Sequence, residues 1–134
     1  MNLPPAFNEN KRCIHAVIET PKGSNYKYKY DADLKLFKLG KMLPAGSPFP
    51  IDMGFIPGTK GQDGDPLDIL VLMENPTFQG CLIECRLLGV IEATQKEINK
   101  KQMRNDRYIA VPVDSIEYAK VKTIRHLEKT SSTI

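Results

Sequence analysis

Asp63-Gly64-Asp65-Pro66-Leu67-Asp68 runs straight into the apolar stretch Ile69-Leu70-Val71-Leu72. A carboxylate-rich turn feeding an apolar run reads as a strand with chemistry at its entrance. Gly64 admits backbone angles closed to other residues, and Pro66 biases Asp65 toward an extended conformation. Asp63 and Asp65 then project to one side, and Asp68 joins them as the chain enters the strand. Three neighbouring carboxylates repel at pH 7 unless they titrate upward or cations fill the space between them. Carboxylate oxygens select hard ions, so Mg²⁺ is the expected ion, with Mn²⁺ as its substitute. An ordinary Asp/Gly turn before a strand has the same spacing, so spacing alone leaves both readings open. An EF-hand loop is set aside, because Leu67 stands at a ligand position and Pro66 breaks the loop.

Outward from this turn the chain reads as short strands. Cys13–Glu19 is apolar and β-branched. Tyr26-Lys27-Tyr28-Lys29-Tyr30 alternates strictly, which predicts a half-buried strand with tyrosines toward the core and lysines outward. Asp31-Ala32-Asp33 turns the chain, and Leu34–Leu39 returns as the second arm of a hairpin. Residues 43–66 are rich in Pro and Gly and read as a long, ordered loop packed by Phe49, Ile51, Met53, Phe55 and Ile56. Asp68–Met73, Leu82–Ala93 and Arg107–Val113 read as further strands, with a loop or hairpin tip over 94–106. Ser115–Lys129 is predicted as a helix with Ser115 as its N-cap. Short strands with one terminal helix favour a small barrel over a parallel α/β sheet.

The 134 residues suit one domain, 1–134, with 1–12 as an N-terminal arm and 130–134 as a frayed tail. No apolar run approaches the roughly 18 residues of a membrane span, and the N-terminus lacks a signal-peptide pattern. A cytoplasmic protein without a membrane partner is expected. Cys13, Cys81 and Cys85 read as reduced, small buried side chains, and they lack the partners of a zinc site. The net charge of +3 is too modest to announce nucleic-acid binding. Base stacking needs exposed aromatic rings, whereas the alternation turns Tyr26, Tyr28 and Tyr30 inward, so no nucleic-acid partner is expected. Charge is unevenly spread. Residues 1–60 hold nine Lys/Arg against five Asp/Glu, and residues 61–134 hold ten against eleven. A lysine-rich half facing an aspartate-rich turn suits a polyanion bound with divalent cations.

Asp-Gly-Asp-Pro-Leu-Asp followed by an apolar strand resembles the defining motif of the family I soluble inorganic pyrophosphatases. The context resembles that family too: Val17–Gly23 and Tyr26-Lys27-Tyr28 upstream, Phe49–Pro57 ahead of the aspartates, and Gly89-Val90-Ile91 and Ile109–Pro112 downstream. The resemblance covers roughly residues 13–115. It implies a mainly β (α+β) fold, a distorted five-stranded OB-like closed barrel with a flanking helix. It also implies Mg²⁺-dependent hydrolysis of pyrophosphate to two phosphates without a covalent intermediate. On that resemblance Asp65 helps deprotonate the attacking water, while Asp63, Asp65, Asp68 and Glu19 serve the metals. Lys27 and Lys41 bind phosphoryl oxygens.

The sequence departs from the family pattern at several positions. Lys29 stands where the family usually has glutamate, Phe49 and Met53 where it has tyrosines, and Gln95 where it has a metal-binding aspartate. Asn105-Asp106-Arg107 aligns with an Asp-x-Lys segment. Direct counting puts Arg107 on the substrate-binding lysine, and a one-residue slip lets Asp106 supply the metal-binding carboxylate. The family's C-terminal helix carries a Tyr-Lys pair, which nothing after Lys129 resembles. Homo-oligomerisation is expected to cover the surface such a helix would shield. The competing expectation is a non-catalytic module of the same fold that binds metal and phosphate or a partner protein.

Overall fold

A computed structural model describes residues 3–9, 13–92, 94–96, 102–104 and 106–123. Nine strands are present among them: β1 (Ile14–Thr20), β2 (Tyr26–Asp31), β3 (Leu36–Met42), β4 (Asp52–Ile56), β5 (Leu67–Val71), β6 (Leu82–Ile91), β7 (Thr94–Lys96), β8 (Gln102–Arg104) and β9 (Arg107–Pro112). Five of them close a barrel in the order β1-β4-β5-β9-β6, with β6 returning to β1. The β5–β9 pairing is parallel and the others are antiparallel. This is the OB-like barrel that the resemblance implied, and closure leaves it no free sheet edge.

Alternation along the strands sorts the side chains. Ala16 and Ile18 of β1, Ile69 and Val71 of β5, Ile83 and Cys85 of β6 and Ala110 of β9 form the barrel interior. The intervening residues face outward and are covered from two sides. Val17 and Phe55 lie under the β2–β3 hairpin, where Tyr30 stacks on Phe55 with centroids 5.3 Å apart. Leu88, Ile109 and Val111 pack against Val121 and Tyr118 from the segment after β9. Arg86 holds that segment by donating to the carbonyls of Val121 (2.5 Å) and Tyr118 (3.1 Å).

Three expectations change. The long Pro/Gly loop contains β4, whose five residues are all buried. The hairpin lies outside the barrel, so only Tyr30 of the three tyrosines is fully covered, while Tyr26 is 43% exposed. The terminal helix is not seen in its described part. Ser115 Oγ does accept from the Tyr118 N–H (3.2 Å), as an N-cap would, but residues 117–120 form turns rather than a helix. Residues 124–129 of that expectation lie outside the described residues. Residues 94–106 include the small β7–β8 hairpin, as one of the two sequence readings allowed.

Candidate active site

The barrel register assembles the site. Val17 pairs with Phe55, Phe55 with Asp68, and Asp68 with Arg107, giving one row across β1, β4, β5 and β9. Residues directly opposite each other in a sheet share a face. Val17 and Phe55 face outward under the hairpin, so Asp68 and Arg107 share that outer surface. Glu19 lies at the register shift after Ile18, and it accepts the Tyr30 N–H (2.7 Å), which places its carboxylate under the same hairpin. The hairpin that covers Val17 and Phe55 carries Lys27 and Lys29 over this row.

The result is a cavity of about 990 Å³ lined by Glu19, Lys27, Lys29, Asp63, Asp65, Asp68 and Arg107, with Asp31 and Asp33 from the hairpin turn. Sequence reading placed Glu19, Lys27, Asp63, Asp65, Asp68 and Arg107 here, and the fold brings these six together. Lys41 and Asp106 do not line the cavity. Lys41 is exposed at the outer part of the hairpin, opposite Lys27 in register. Asp106 precedes β9 and its register with Asp68, and it is Arg107 that the pairing places beside Asp68. Asn105 lies outside the described residues. His15 is buried, and its Nδ1 lies 2.6 Å from the Pro5 carbonyl.

The aspartate turn is held by its own backbone. Gly64 sits at φ +87°, in the left-handed region. The Gly61 N–H donates to the Asp65 carbonyl (2.7 Å), and the Asp65 N–H donates to Asp63 Oδ1 (3.0 Å). Lys29 Nζ donates to Asp65 Oδ2 at 2.6 Å. In the sequence Lys29 stands out only as an outward-facing lysine of an alternating strand and as a departure from a family pattern. Its pairing depends on the hairpin folding over β1, and no local signal announces that.

The charges are mutually adjusted. Burial pushes Glu19 up to about 7, against the Tyr30 N–H that donates to its Oε2 (2.7 Å), and the nearby Asp68 carboxylate adds to the rise. Burial also raises Asp68, against the attraction of Arg107 and Lys27. Lys29 is raised, first by its hydrogen bond to Asp65 and then, against partial burial, by the charges of Asp65, Glu19 and Asp63. Carboxyls held above their ordinary range beside cations form a site short of positive charge. The donor set is all oxygen, which fits a hard divalent ion. Among the described residues no three potential ligands yet converge on one coordination point.

A closed OB-like barrel gathers carboxylates, which suit a cation, and ammonium and guanidinium groups, which suit an anion, over one outer face. The inorganic pyrophosphatase family model matches residues 16–134. The inorganic pyrophosphatase of Synechocystis sp. is 40% identical over 114 residues, which is 85% of this chain and 64% of that protein. That of Halalkalibacterium halodurans is 36% identical over 118 residues, 88% of this chain and 69% of that one. The crystal structure of inorganic pyrophosphatase from Thermus thermophilus superposes with a TM-score of 0.80 at 35% identity, covering 92% of this chain and 68% of that one. The chain belongs to the inorganic pyrophosphatase family, whose members depend on metal ions. It spans just under two thirds of the length of the Synechocystis relative.

Proposed function

We propose that this protein hydrolyses inorganic pyrophosphate to two phosphates with Mg²⁺, and that residues 1–134 act as one pyrophosphatase-like domain. The observation that carries the reading is that Glu19, Lys27, Asp63, Asp65, Asp68 and Arg107, drawn from separate elements, line one cavity. Asp63, Asp65, Asp68 and Glu19 hold the Mg²⁺ ions, with Mn²⁺ as a substitute. Bound Mg²⁺ neutralises phosphoryl charge and acidifies a water. Asp65, whose backbone is fixed by the Asp63 and Gly61 hydrogen bonds, would take a proton from the attacking water. Lys27 and Arg107 bind phosphoryl oxygens and stabilise the charge that develops on the leaving phosphate. Burial raises Glu19 and Asp68 above the ordinary carboxylate range, and a cation beside them would favour their ionised forms.

A cytoplasmic location without a membrane partner belongs to the same reading; among the described residues no helix is long and apolar enough to cross a membrane. Leu87, Val90 and Ile91 of β6 and Ile116 after β9 are exposed, which supports a homo-oligomer that covers them. Phosphate release from pyrophosphate, with Mg²⁺ and with excess chelator, tests the activity. Wild type is expected to turn over only with Mg²⁺, and Asp65→Asn to lose about 100-fold or more. A folded wild type without Mg²⁺-dependent release would sink the reading.

A further inference from the structure

Lys29 spans the cavity. It starts on β2, in the hairpin outside the barrel, and its ammonium ends 2.6 Å from Asp65 Oδ2 on the turn before β5. The partners lie 36 residues apart in the chain, so the contact is a product of the fold. The ammonium is not matched to Asp65 alone. Glu19 and Asp63 also act on it as attracting charges. It therefore stands within a field of three carboxylates, in the region where a divalent ion would be drawn most strongly.

Two further observations give this contact meaning. Among the described residues no three potential ligands converge on one coordination point, although Glu19, Asp63, Asp65 and Asp68 line the same cavity. The Asp65 carboxylate, whose donor oxygen such a point would use, is turned to an ammonium instead. The side chains of Lys29 and Asp65 are also 62% and 46% exposed. An ion pair that open to water is weak enough to exchange for a stronger cation.

We propose that Lys29 is a tethered cation that holds Asp65 in place of a divalent ion, and that an ion entering at Asp65 has to displace it. Lys29 thus sets how tightly this carboxylate takes metal. It is a positioning residue: it acts through Asp65. The inference deepens the metal-binding part of the proposed function and rests on it. Removing the ammonium frees one carboxylate oxygen and also removes the repulsion between a monovalent and a divalent cation in one cavity. Together these are expected to tighten divalent binding by about tenfold or more.

Titration with Mn²⁺ alone, free ion being read by electron paramagnetic resonance at constant ionic strength, tests this without turnover. Wild type, Lys29→Met, Lys29→Arg, Asp65→Asn and the Lys29→Met/Asp65→Asn double variant are compared. Lys29→Met is expected to bind at least one Mn²⁺ about tenfold more tightly than wild type, with Lys29→Arg close to wild type. The gain is expected to vanish when Asp65 is Asn, as coupling through that one pair requires. Equal affinity and stoichiometry in wild type and Lys29→Met would overturn the proposal. So would a gain that persists with Asn at position 65, which would mark a general effect of net charge. A protein that shows the Asp65-dependent gain yet releases no phosphate from pyrophosphate would refute the proposed hydrolysis while leaving the role of Lys29 standing. Absence of Mn²⁺ binding in both wild type and Lys29→Met would overturn the two together.

Discussion

Glu19 is where burial and charge compete most openly. Its carboxyl is 7% exposed, accepts the Tyr30 N–H and is pushed up to about 7 from an ordinary 4.5. A carboxyl that holds its proton more tightly in the folded state stabilises the fold fully below the unfolded value of 4.5. That contribution disappears as pH rises through about 7. Asp68 shifts in the same direction. With chelator present, folding stability is therefore expected to fall between pH 4.5 and 7, by an amount on the order of a few kcal/mol. Glu19→Gln, which cannot ionise, is expected to flatten that slope, and urea midpoints across the pH series provide the check. An unchanged slope would place the titration elsewhere. Glu19, Lys27 and the three aspartates were legible in sequence because each belongs to a short local pattern. Lys29 was not, because its partner is fixed only when the hairpin covers the barrel.

At the scale of elements, the strands read best where apolar residues are β-branched and continuous. The sequence expectation for β1 and the observed Ile14–Thr20 differ by one residue at each end. The β4 strand was hidden, because Gly54 sits at its centre and prolines flank it, and both signal a loop. The barrel explains the glycine. β1 and β4 approach so closely at the Ile18–Gly54 pair that a Cβ there would collide with the Val17 carbonyl. A backbone carbonyl within a sheet cannot swing aside as a flexible side chain can. Gly54→Ala is therefore expected to cost about 3 kcal/mol or more, read from denaturant midpoints or from loss of soluble protein. The change also displaces Phe55, on which Tyr30 stacks, so the hairpin bearing Lys27 and Lys29 should loosen in whatever fraction folds. The predicted helix failed in its described part for a related reason. Glu74 Oε1 accepts from Ser115 Oγ (3.0 Å) and from the Glu117 N–H (2.8 Å), 41 and 43 positions away in the chain, and these contacts tie the segment whose Tyr118 and Val121 pack onto the barrel.

Across the whole molecule, the charged groups of the cavity are far apart in sequence and meet only after closure. Glu19 comes from β1, Lys27 and Lys29 from the hairpin, Asp63 and Asp65 from the turn before β5, Asp68 from β5 and Arg107 from β9. The parallel β5–β9 pairing is the step that sets Arg107 beside Asp68. An unfolded chain offers isolated carboxylates, whereas the folded chain offers a cluster, so a divalent ion binds the folded state preferentially and stabilises it by linkage. At a hundredfold excess over its dissociation constant, that linkage is about 2.7 kcal/mol. For a chain of this size the melting temperature should rise by roughly 10 °C. The rise should grow logarithmically with free Mg²⁺ above its dissociation constant, reverse with excess chelator and be lost in an Asp65→Asn/Asp68→Asn double variant. Calorimetry at pH 8 is the appropriate measurement, because that lies above the value of about 7 to which burial raises Glu19. A melting temperature that ignores Mg²⁺ at pH 8 would mean that the cavity balances its carboxylates with Lys27, Lys29 and Arg107 alone. In that case the barrel would gather these groups without forming a metal site.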